Sequence, residues 1–238
     1  MINKKIMLFG HRGIPALSTE NSLDSFQKIL DNKIPGVEFD VHLTADGELV
    51  VKHDFNTLKM TGVNHEVAET DYSLLKTLPI GDEEYIPLLS QVFDILKDKV
   101  YYDIEIKSNG KNRKQLVQNV SDMIFKYNLQ NDCFVSSFDP YLIKEFNKLK
   151  TGIKVGLIYS DVKELPFIAR HGLGAFITSI QIIKPDHKQL KGFIHFILTK
   201  VLKKTCYTWT VNSQEDYDYA VKKGCVGVCS DNAHLLTR

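Results

Sequence analysis

The sequence predicts a (β/α)₈ barrel, also called a TIM barrel, in which eight parallel strands alternate with helices. Short β-rich runs alternate with longer segments of helical periodicity along the chain. The length of 238 residues suits one such barrel. The sequence also lacks the G-x-G-x-x-G fingerprint that would favour an open dinucleotide-binding sheet. We therefore expect a single domain over residues 1–238.

The predicted elements follow from local composition and spacing. The predicted strands are 5–10, 36–43, 100–107, 133–138, 154–160, 175–182, 205–212 and 226–231. The predicted helices are 20–31, 87–96, 114–127, 140–149, 162–169, 187–202 and 213–223. The run 49–53 follows the turn dipeptide Asp46-Gly47 and predicts a hairpin return. Segment 55–84 interrupts the alternation, and we interpret it as a small insertion after the second barrel strand.

The overall composition excludes some classes of protein. The formal net charge is +1, so no bulk charge favours nucleic acid or an anionic membrane. No apolar run approaches ~18 residues, so we expect no stable insertion into a membrane. The first apolar run, residues 6–9, is too short for a signal-peptide core. The four cysteines form no C-x-x-C pair, which predicts reduced thiols and a cytoplasmic protein. The sequence does not determine the oligomeric state.

Carboxylates alternate with apolar residues on two predicted strands. Residues two apart share a face of a strand, so Glu38 and Asp40 lie together, as do Asp103, Glu105 and Lys107. In a barrel the apolar face packs on the helices, which leaves the charges pointing inward. Buried carboxylates need a partner or a metal, and oxygen ligands favour Mg²⁺ or Ca²⁺. The alternative interpretation is the solvent face of an edge strand.

Two histidines and one arginine accompany this acidic cluster. His11 ends the first predicted strand, and His53 ends the short hairpin return. A histidine beside a metal and carboxylates can act as a general acid or base near neutral pH. Arg12, together with Lys107, is an obvious counter-charge for the carboxylates. A lone histidine is more often structural, so this interpretation depends on the cluster as a whole.

These residues fall into motifs that resemble one known family in the same order. The motifs are His11-Arg12-Gly13, Glu20-Asn21, Glu38-x-Asp40, His53-Asp54, Glu105-x-Lys107 and Trp209-Thr210-Val211-Asn212. Each motif is weak alone, but together they resemble the glycerophosphodiester phosphodiesterase family over nearly the whole chain.

The resemblance implies a TIM barrel whose insertion follows the His-Asp motif, where segment 55–84 lies. It also implies a role for each matching residue. The implied roles are metal ligands for Glu38, Asp40 and Glu105, general acid and base for His11 and His53, phosphate binding for Arg12 and Lys107, and an apolar pocket wall for Trp209. The alternative for Trp209 is a core aromatic residue on a strand.

The sequence departs from the family pattern at two positions. Thr19 stands where the family commonly has proline before the Glu-Asn pair, which leaves the shape of that loop open. Asp103 stands where the family often has an uncharged polar residue. Asp103 is therefore expected either to contact the metal indirectly or to lie deeper in the barrel.

The reaction implied by the resemblance is hydrolysis of a glycerophosphodiester, a small-molecule substrate, to glycerol 3-phosphate and an alcohol such as choline or ethanolamine. The nucleophile is either water or the free glycerol hydroxyl beside the phosphate. A related barrel acting on lysophospholipids or sphingomyelin is the second interpretation. It would need a lipid-facing surface, and the basic, amphipathic stretch 188–204 either supplies one or packs as an outer barrel helix. The third interpretation is a binding module without catalytic activity.

Overall fold

Strands and helices alternate through the part of the chain that the computed structural model describes, residues 6–81, 84–163 and 165–236. The strands β1 to β11 are Met7–His11, Gly36–Leu43, Leu49–Val51, Pro79–Gly81, Glu84–Tyr85, Tyr101–Ile106, Cys133–Ser137, Lys154–Tyr159, Ile182–Pro185, Thr205–Thr208 and Gly227–Ser230. The α-helices α1 to α8 are Leu23–Asp31, Leu58–Thr61, Tyr72–Leu75, Leu89–Leu96, Arg113–Lys126, Pro140–Lys148, Phe193–Phe196 and Gln214–Lys223.

Eight of these strands close into a parallel barrel. β1 pairs in parallel with β2 on one side and with β11 on the other. Between them the order runs β2, β6, β7, β8, β9, β10 and β11, with every neighbouring pair parallel. The predicted (β/α)₈ fold is confirmed. Because all eight strands point the same way, their carboxyl ends meet at one mouth, which is where catalytic residues of such barrels lie.

The outer layer of the core shows why β2 turns its charged face inward. Val37, Phe39 and Val41 alternate along the strand and are fully buried under the helices. The Phe39 ring packs edge-on against Phe26 of α1 at 5.6 Å and Phe93 of α4 at 6.4 Å. Burying one such side chain stabilises the fold by about 1.5–3 kcal/mol. The residues between them must then face the barrel interior.

The barrel interior contains an apolar cluster of its own. Phe9, Phe134, Ile182 and Cys229 pack together from four different strands. Tyr207 joins them, with its ring 5.6 Å from that of Phe9 and nearly perpendicular to it. The interior is therefore a packed core and not a pore, and polar groups are concentrated nearer the mouth.

Two predicted helices are shorter or broken in the structure. Pro166 lies within predicted helix 162–169, and the described part of this segment is helical only as a 3₁₀ turn at Phe167–Ala169. Residue 164 lies outside the described residues. In predicted helix 187–202, Gly192 has a φ of 93° and separates a 3₁₀ turn from α7. α7 then continues into a π-helical turn, Ile197–Val201.

One predicted strand is displaced along the chain. The prediction was 175–182, whereas β9 is Ile182–Pro185. The earlier residues form a 3₁₀ turn at Leu173–Phe176. Their β-branched and aromatic composition resembles that of a strand, while the actual strand carries a buried lysine, Lys184, that local composition does not predict.

A compact segment between β3 and α4 contains α2, α3 and the β4–β5 hairpin. It has a small apolar cluster formed by Val50, Val67, Leu75, Ile80 and Ile86. Residues 82 and 83 of the predicted insertion, 55–84, lie outside the described residues, as do 1–5 and 237–238. The assignment of the whole chain to a single domain stays a prediction.

Candidate active site

Three carboxylates converge at the mouth of the barrel from two neighbouring strands. Asp40 of β2 is the register partner of Glu105 of β6, and Glu38 lies two residues earlier on β2. One oxygen from each of the three lies within 4.8 Å of the others. Their relative exposures are 1%, 1% and 7% for Glu38, Asp40 and Glu105. These three residues could hold a metal ion between them.

The electrostatics of the cluster fit a bound cation. Burial, together with the charge of Asp40, raises the pKa of Glu38 above its ordinary value. Burial also raises the pKa of Glu105, with Asp40 and Glu38 adding to the effect, although Lys107 opposes it. Asp40 is different: despite burial, Lys107, His53 and Arg12 hold the pKa of Asp40 well below its usual range. Two of the three carboxylates thus lack sufficient positive charge nearby, and a divalent ion would supply it.

Asp103 does not belong to this cluster. Its carboxylate lies 2.5 Å from Lys184 Nζ of β9 and accepts a 2.6 Å hydrogen bond from Ser136 Oγ. Both charged side chains are about 3% exposed. Of the two expectations for Asp103, the structure supports the position deeper in the barrel.

His11 is oriented by residues from the far end of the chain. Its Nδ1 donates a 2.6 Å hydrogen bond to Asp231 Oδ1. Asn212 donates to the other oxygen of Asp231 at 2.7 Å. This leaves His11 Nε2 directed towards the cluster, 3.9 Å from Glu38 Oε2. Burial acts to lower the pKa of His11, but the hydrogen bond to Asp231 and the charge of Glu38 outweigh it and raise the pKa.

His53 is held in a similar way, but its surroundings shift its pKa in the opposite direction to that of His11. Its Nδ1 donates to Asp54 Oδ1 at 2.8 Å, and its backbone carbonyl accepts from Lys107 Nζ at 3.1 Å. Burial is the main cause that lowers the pKa of His53, and the positive charges of Lys107 and Arg12 add to it. Both histidines therefore have one ring nitrogen fixed by a carboxylate, and their pKa values shift in opposite directions.

Arg12 lies in the turn after β1, where its backbone φ of 56° is in the left-handed region. This conformation lets its backbone N–H donate to Glu38 Oε2 at 3.1 Å. Its guanidinium group lies 2.9 Å from Glu20 and 3.5 Å from Asp40. Asn21 donates to Asp40 as well, at 3.0 Å, so the Glu-Asn pair supports both the arginine and the acidic cluster.

Lys107 extends from the end of β6 across the same cluster. Its Nζ lies 3.0 Å from Asp40 and 3.5 Å from Glu105. Arg12 and Lys107 are thus two cations that both contact the acidic cluster at Asp40, and their role in binding phosphate stays a prediction. In the described part of the chain, all eight site residues proposed from the sequence lie around one cavity or its acidic cluster.

The cavity has a volume of about 700 Å³ and opens beside the cluster. Trp209 forms part of its wall. The indole N–H donates to the backbone carbonyl of Lys184 at 3.0 Å, and the ring packs edge-on against Phe138 at 5.5 Å. Beyond this pair, the wall on the side of the loop after β8 is apolar, with Ile158, Leu165 and Ile168.

Three polar residues of the site received no role in the sequence interpretation. Asp231 and Asn212 orient His11, and Lys184 neutralises Asp103. Two of them carried a usable signal: Asp231 ends the last predicted strand, which must neighbour the first strand in a closed barrel, and Asn212 belongs to the last of the family motifs. Lys184 carries no such signal without knowledge of the strand register.

Comparison with known families identifies the family of this chain. The model of the glycerophosphoryl diester phosphodiesterase family matches residues 11–235. The chain belongs to this family. It is accordingly a glycerophosphodiester phosphodiesterase by class, a phosphoric diester hydrolase.

Relatives of this hydrolase match it along nearly its whole length. A glycerophosphodiester phosphodiesterase of Caldanaerobacter subterraneus subsp. tengcongensis is 27% identical, and the match covers 98% of this chain and 96% of the relative. Lysophospholipase D GDPD1 of Rattus norvegicus is 25% identical, over 93% of this chain and 82% of its own length.

A solved structure has the same fold. The phosphodiesterase of Oleispira antarctica, in complex with the product sn-glycerol-3-phosphate, superposes with a TM-score of 0.83. The two chains are 19% identical, and the match covers 96% of this one and 94% of the other. Among the described residues, the hydrolase has no helix long and apolar enough to span a bilayer.

Proposed function

We propose that this chain hydrolyses glycerophosphodiesters, such as glycerophosphocholine or glycerophosphoethanolamine, to glycerol 3-phosphate and an alcohol, with the help of Mg²⁺ or Ca²⁺. The observation that carries the proposal is the convergence of three buried carboxylates, two cations and two histidines at one mouth. A similar fold binds sn-glycerol-3-phosphate as product in the Oleispira antarctica phosphodiesterase.

Glu38, Asp40 and Glu105 are the proposed metal ligands. Such an ion, when bound, supplies a Lewis acid that stabilises negative charge developing on the phosphoryl oxygens. Arg12 and Lys107 bind the same oxygens and orient the phosphorus between the histidines. Trp209 packs against the glycerol portion of the substrate.

His11 and His53 divide the proton transfers in this proposal. One accepts the proton of the nucleophile, and the other donates a proton to the departing alkoxide. Asp231 and Asp54 each hold one ring nitrogen, which leaves the second nitrogen free for the transfer. The nucleophile is either water or the neighbouring glycerol hydroxyl, in which case a cyclic phosphate forms and is opened by water.

A panel of substrates after chelation and metal add-back tests the proposal. We expect turnover of glycerophosphocholine and glycerophosphoethanolamine to disappear with the metal and to return with Mg²⁺ or Ca²⁺. Full turnover in excess chelator, with elemental analysis showing no bound metal, would contradict the proposed metal dependence.

A second candidate function is cleavage of the head group from lysophospholipids. The apolar side of the cavity, with Ile158, Leu165 and Ile168, favours it because an acyl chain could lie there. The rat relative named lysophospholipase D GDPD1 supports the same candidate function. Including lysophosphatidylcholine micelles in the panel discriminates the two: faster turnover of the micelles than of glycerophosphocholine favours the second candidate.

The role of the carboxylates has its own test in thermal melting. We expect Glu105→Ala to weaken metal binding by at least about 10–100-fold, because even supporting residues of metal sites have effects of this size. A 100-fold loss lowers the metal-induced stabilisation by up to about 2.7 kcal/mol. Without metal, Glu105→Ala is expected to melt no lower than wild type, because a buried carboxylate with a raised pKa is removed.

Glu48→Ala is the matched control for that experiment, because Glu48 is an exposed acidic residue in the turn before β3. It is expected to keep the full metal-induced shift. If Glu105→Ala kept the same shift as this control, Glu105 would not be a ligand.

A cytoplasmic location is part of the proposal. It is supported by the sequence, whose four cysteines form no C-x-x-C pair and lie buried. Buried thiols that serve as small apolar side chains suit a reducing compartment.

A further inference from the structure

A helical segment on the outside of the barrel presents its largest apolar side chains to solvent. The segment is α7 with the π-helical turn after it, residues 193–201. Phe193 is 76% exposed and Phe196 is 54% exposed, and Val201 is 60% exposed. The side chains that face the barrel are Leu198, which is fully buried, Ile194, which packs against the main core, and His195, which is 9% exposed.

This arrangement differs from that of a helix that serves only to pack on a sheet. Such a helix turns its apolar stripe towards the core and its polar residues outward. Here a histidine faces inward, and within the described part of the chain its Nδ1 has no hydrogen-bond partner. The two phenylalanines face outward instead. Packing on the barrel through Ile194 and Leu198 therefore does not account for the two exposed phenylalanines.

Positive charge surrounds the exposed apolar side chains. Between residues 187 and 205 the sequence has five lysines and no acidic residue. Four of them, Lys188, Lys191, Lys200 and Lys203, are exposed and form no ion pair with any residue the structure describes.

The neighbouring turn adds to the apolar part of this surface. Gly172, which precedes the 3₁₀ turn Leu173–Phe176, lies directly against Leu198, because a methyl group built on the glycine would be 3.1 Å from it. Phe176, the last residue of that turn, is 54% exposed, and Ile177 after it is 40% exposed. We call residues 176–177 and 191–203 the outer face.

The chemistry of the outer face selects among its potential occupants. A second copy of this chain would bring the same lysines together, and like charges oppose that association. A nucleic acid would neutralise the lysines, but it would leave aliphatic side chains such as Val201 and Leu202 without a partner. The boundary of a lipid bilayer accommodates both the exposed apolar side chains and the lysines. Phenylalanine enters the acyl region, while lysine remains among the anionic headgroups.

We propose that the outer face docks this enzyme on the surface of bilayers that contain anionic phospholipids. The contact is peripheral: apolar side chains insert into the headgroup boundary, and the chain does not cross the bilayer. The inference concerns a surface outside the catalytic mouth, so it stands apart from the proposed function and has a readout that does not involve turnover.

Sedimentation with vesicles tests it, using the whole chain with metal chelated. We expect binding to vesicles of equal parts phosphatidylglycerol and phosphatidylcholine, and little binding to phosphatidylcholine alone. Lys200→Gln and Lys203→Gln are each expected to weaken the partition by roughly fivefold. Phe193→Ser with Phe196→Ser is expected to weaken it by at least about tenfold. Added salt should release the wild-type protein, because it screens the lysines.

Matched controls distinguish binding by the outer face from nonspecific adsorption of the protein to vesicles. Phe125→Ser removes a half-exposed phenylalanine from the outer side of α5, and Lys99→Gln removes an exposed lysine elsewhere. Both are expected to bind vesicles as wild type does. Melting curves show whether each variant is folded, and a folded Lys200→Gln variant keeps the test valid if the phenylalanine variants unfold.

Several results would overturn the proposal. One is equal binding to the two vesicle types, and another is equal loss in the control and outer-face variants. A third is a wild-type dimer in sedimentation velocity that Phe193→Ser abolishes, which would assign the face to a second copy. Tighter binding to a DNA or RNA duplex than to the anionic vesicles would assign it to nucleic acid.

Discussion

Replacing His11 or His53 with alanine is expected to slow hydrolysis of glycerophosphocholine by roughly 10²–10⁴-fold, the usual loss when positioned acid or base catalysis is removed. An in-line displacement needs a proton acceptor on one side of the phosphorus and a donor on the other. A substrate with a nitrophenyl leaving group needs little protonation of that group. We therefore expect one alanine variant to recover most of its rate on the nitrophenyl diester and the other to remain slow.

His65→Ala is a suitable control, since His65 lies in the segment between β3 and α4 and does not line the cavity. Its rates on both substrates should match those of wild type. If His11→Ala and His53→Ala instead lost the same factor on both substrates, the division into acid and base would be wrong. The two histidines would then be contacts of the phosphate or the metal.

Replacing Lys184 with methionine is expected to lower the free energy of unfolding by about 3–5 kcal/mol, because it leaves the buried carboxylate of Asp103 without its partner. Burial already raises the pKa of Asp103, with Lys184 and Ser136 opposing the shift. For a chain of this size the loss corresponds to a decrease in Tm of roughly 6–20 °C. Thermal or urea unfolding without added metal measures it.

The double variant Lys184→Met with Asp103→Leu is expected to recover much of that loss. A buried ion pair replaced as a unit by apolar residues is often neutral in stability, whereas removing one partner is costly. Lys154→Met, at the exposed start of β8, controls for the loss of a lysine as such. If Lys184→Met were as stable as wild type and the double variant were less stable, Lys184 would not be stabilising the buried charge of Asp103.

The acidic cluster could be predicted from the sequence because it depends on local geometry. The two-residue period of a strand puts Glu38 and Asp40 on the face opposite to Val37 and Phe39 whatever the rest of the chain does. α6, which begins at Pro140, and α8, which follows the capping residue Ser213, begin within a residue of their predicted starts. α1 and α4 begin three and two residues later than predicted.

The supporting contacts could not be predicted, because they depend on the register between distant strands. Lys184 meets Asp103 only because β9 closes the far side of the barrel, and local composition misplaced that strand. The outer segment 187–202 was expected to be one helix, but Gly192 divides it and the apolar side chains face outward. Helical periodicity identifies an apolar stripe without showing which side of the helix faces the protein.

The hydrogen bond between His11 and Asp231 joins residues that are 220 positions apart. During synthesis His11 is translated 220 residues before its acceptor. Its imidazole remains unoriented until β11 docks beside β1 and completes the ring of strands. This contact therefore forms only after residue 231 has been translated, and a nascent chain that stalls before it carries every proposed metal ligand but not the group that orients this histidine.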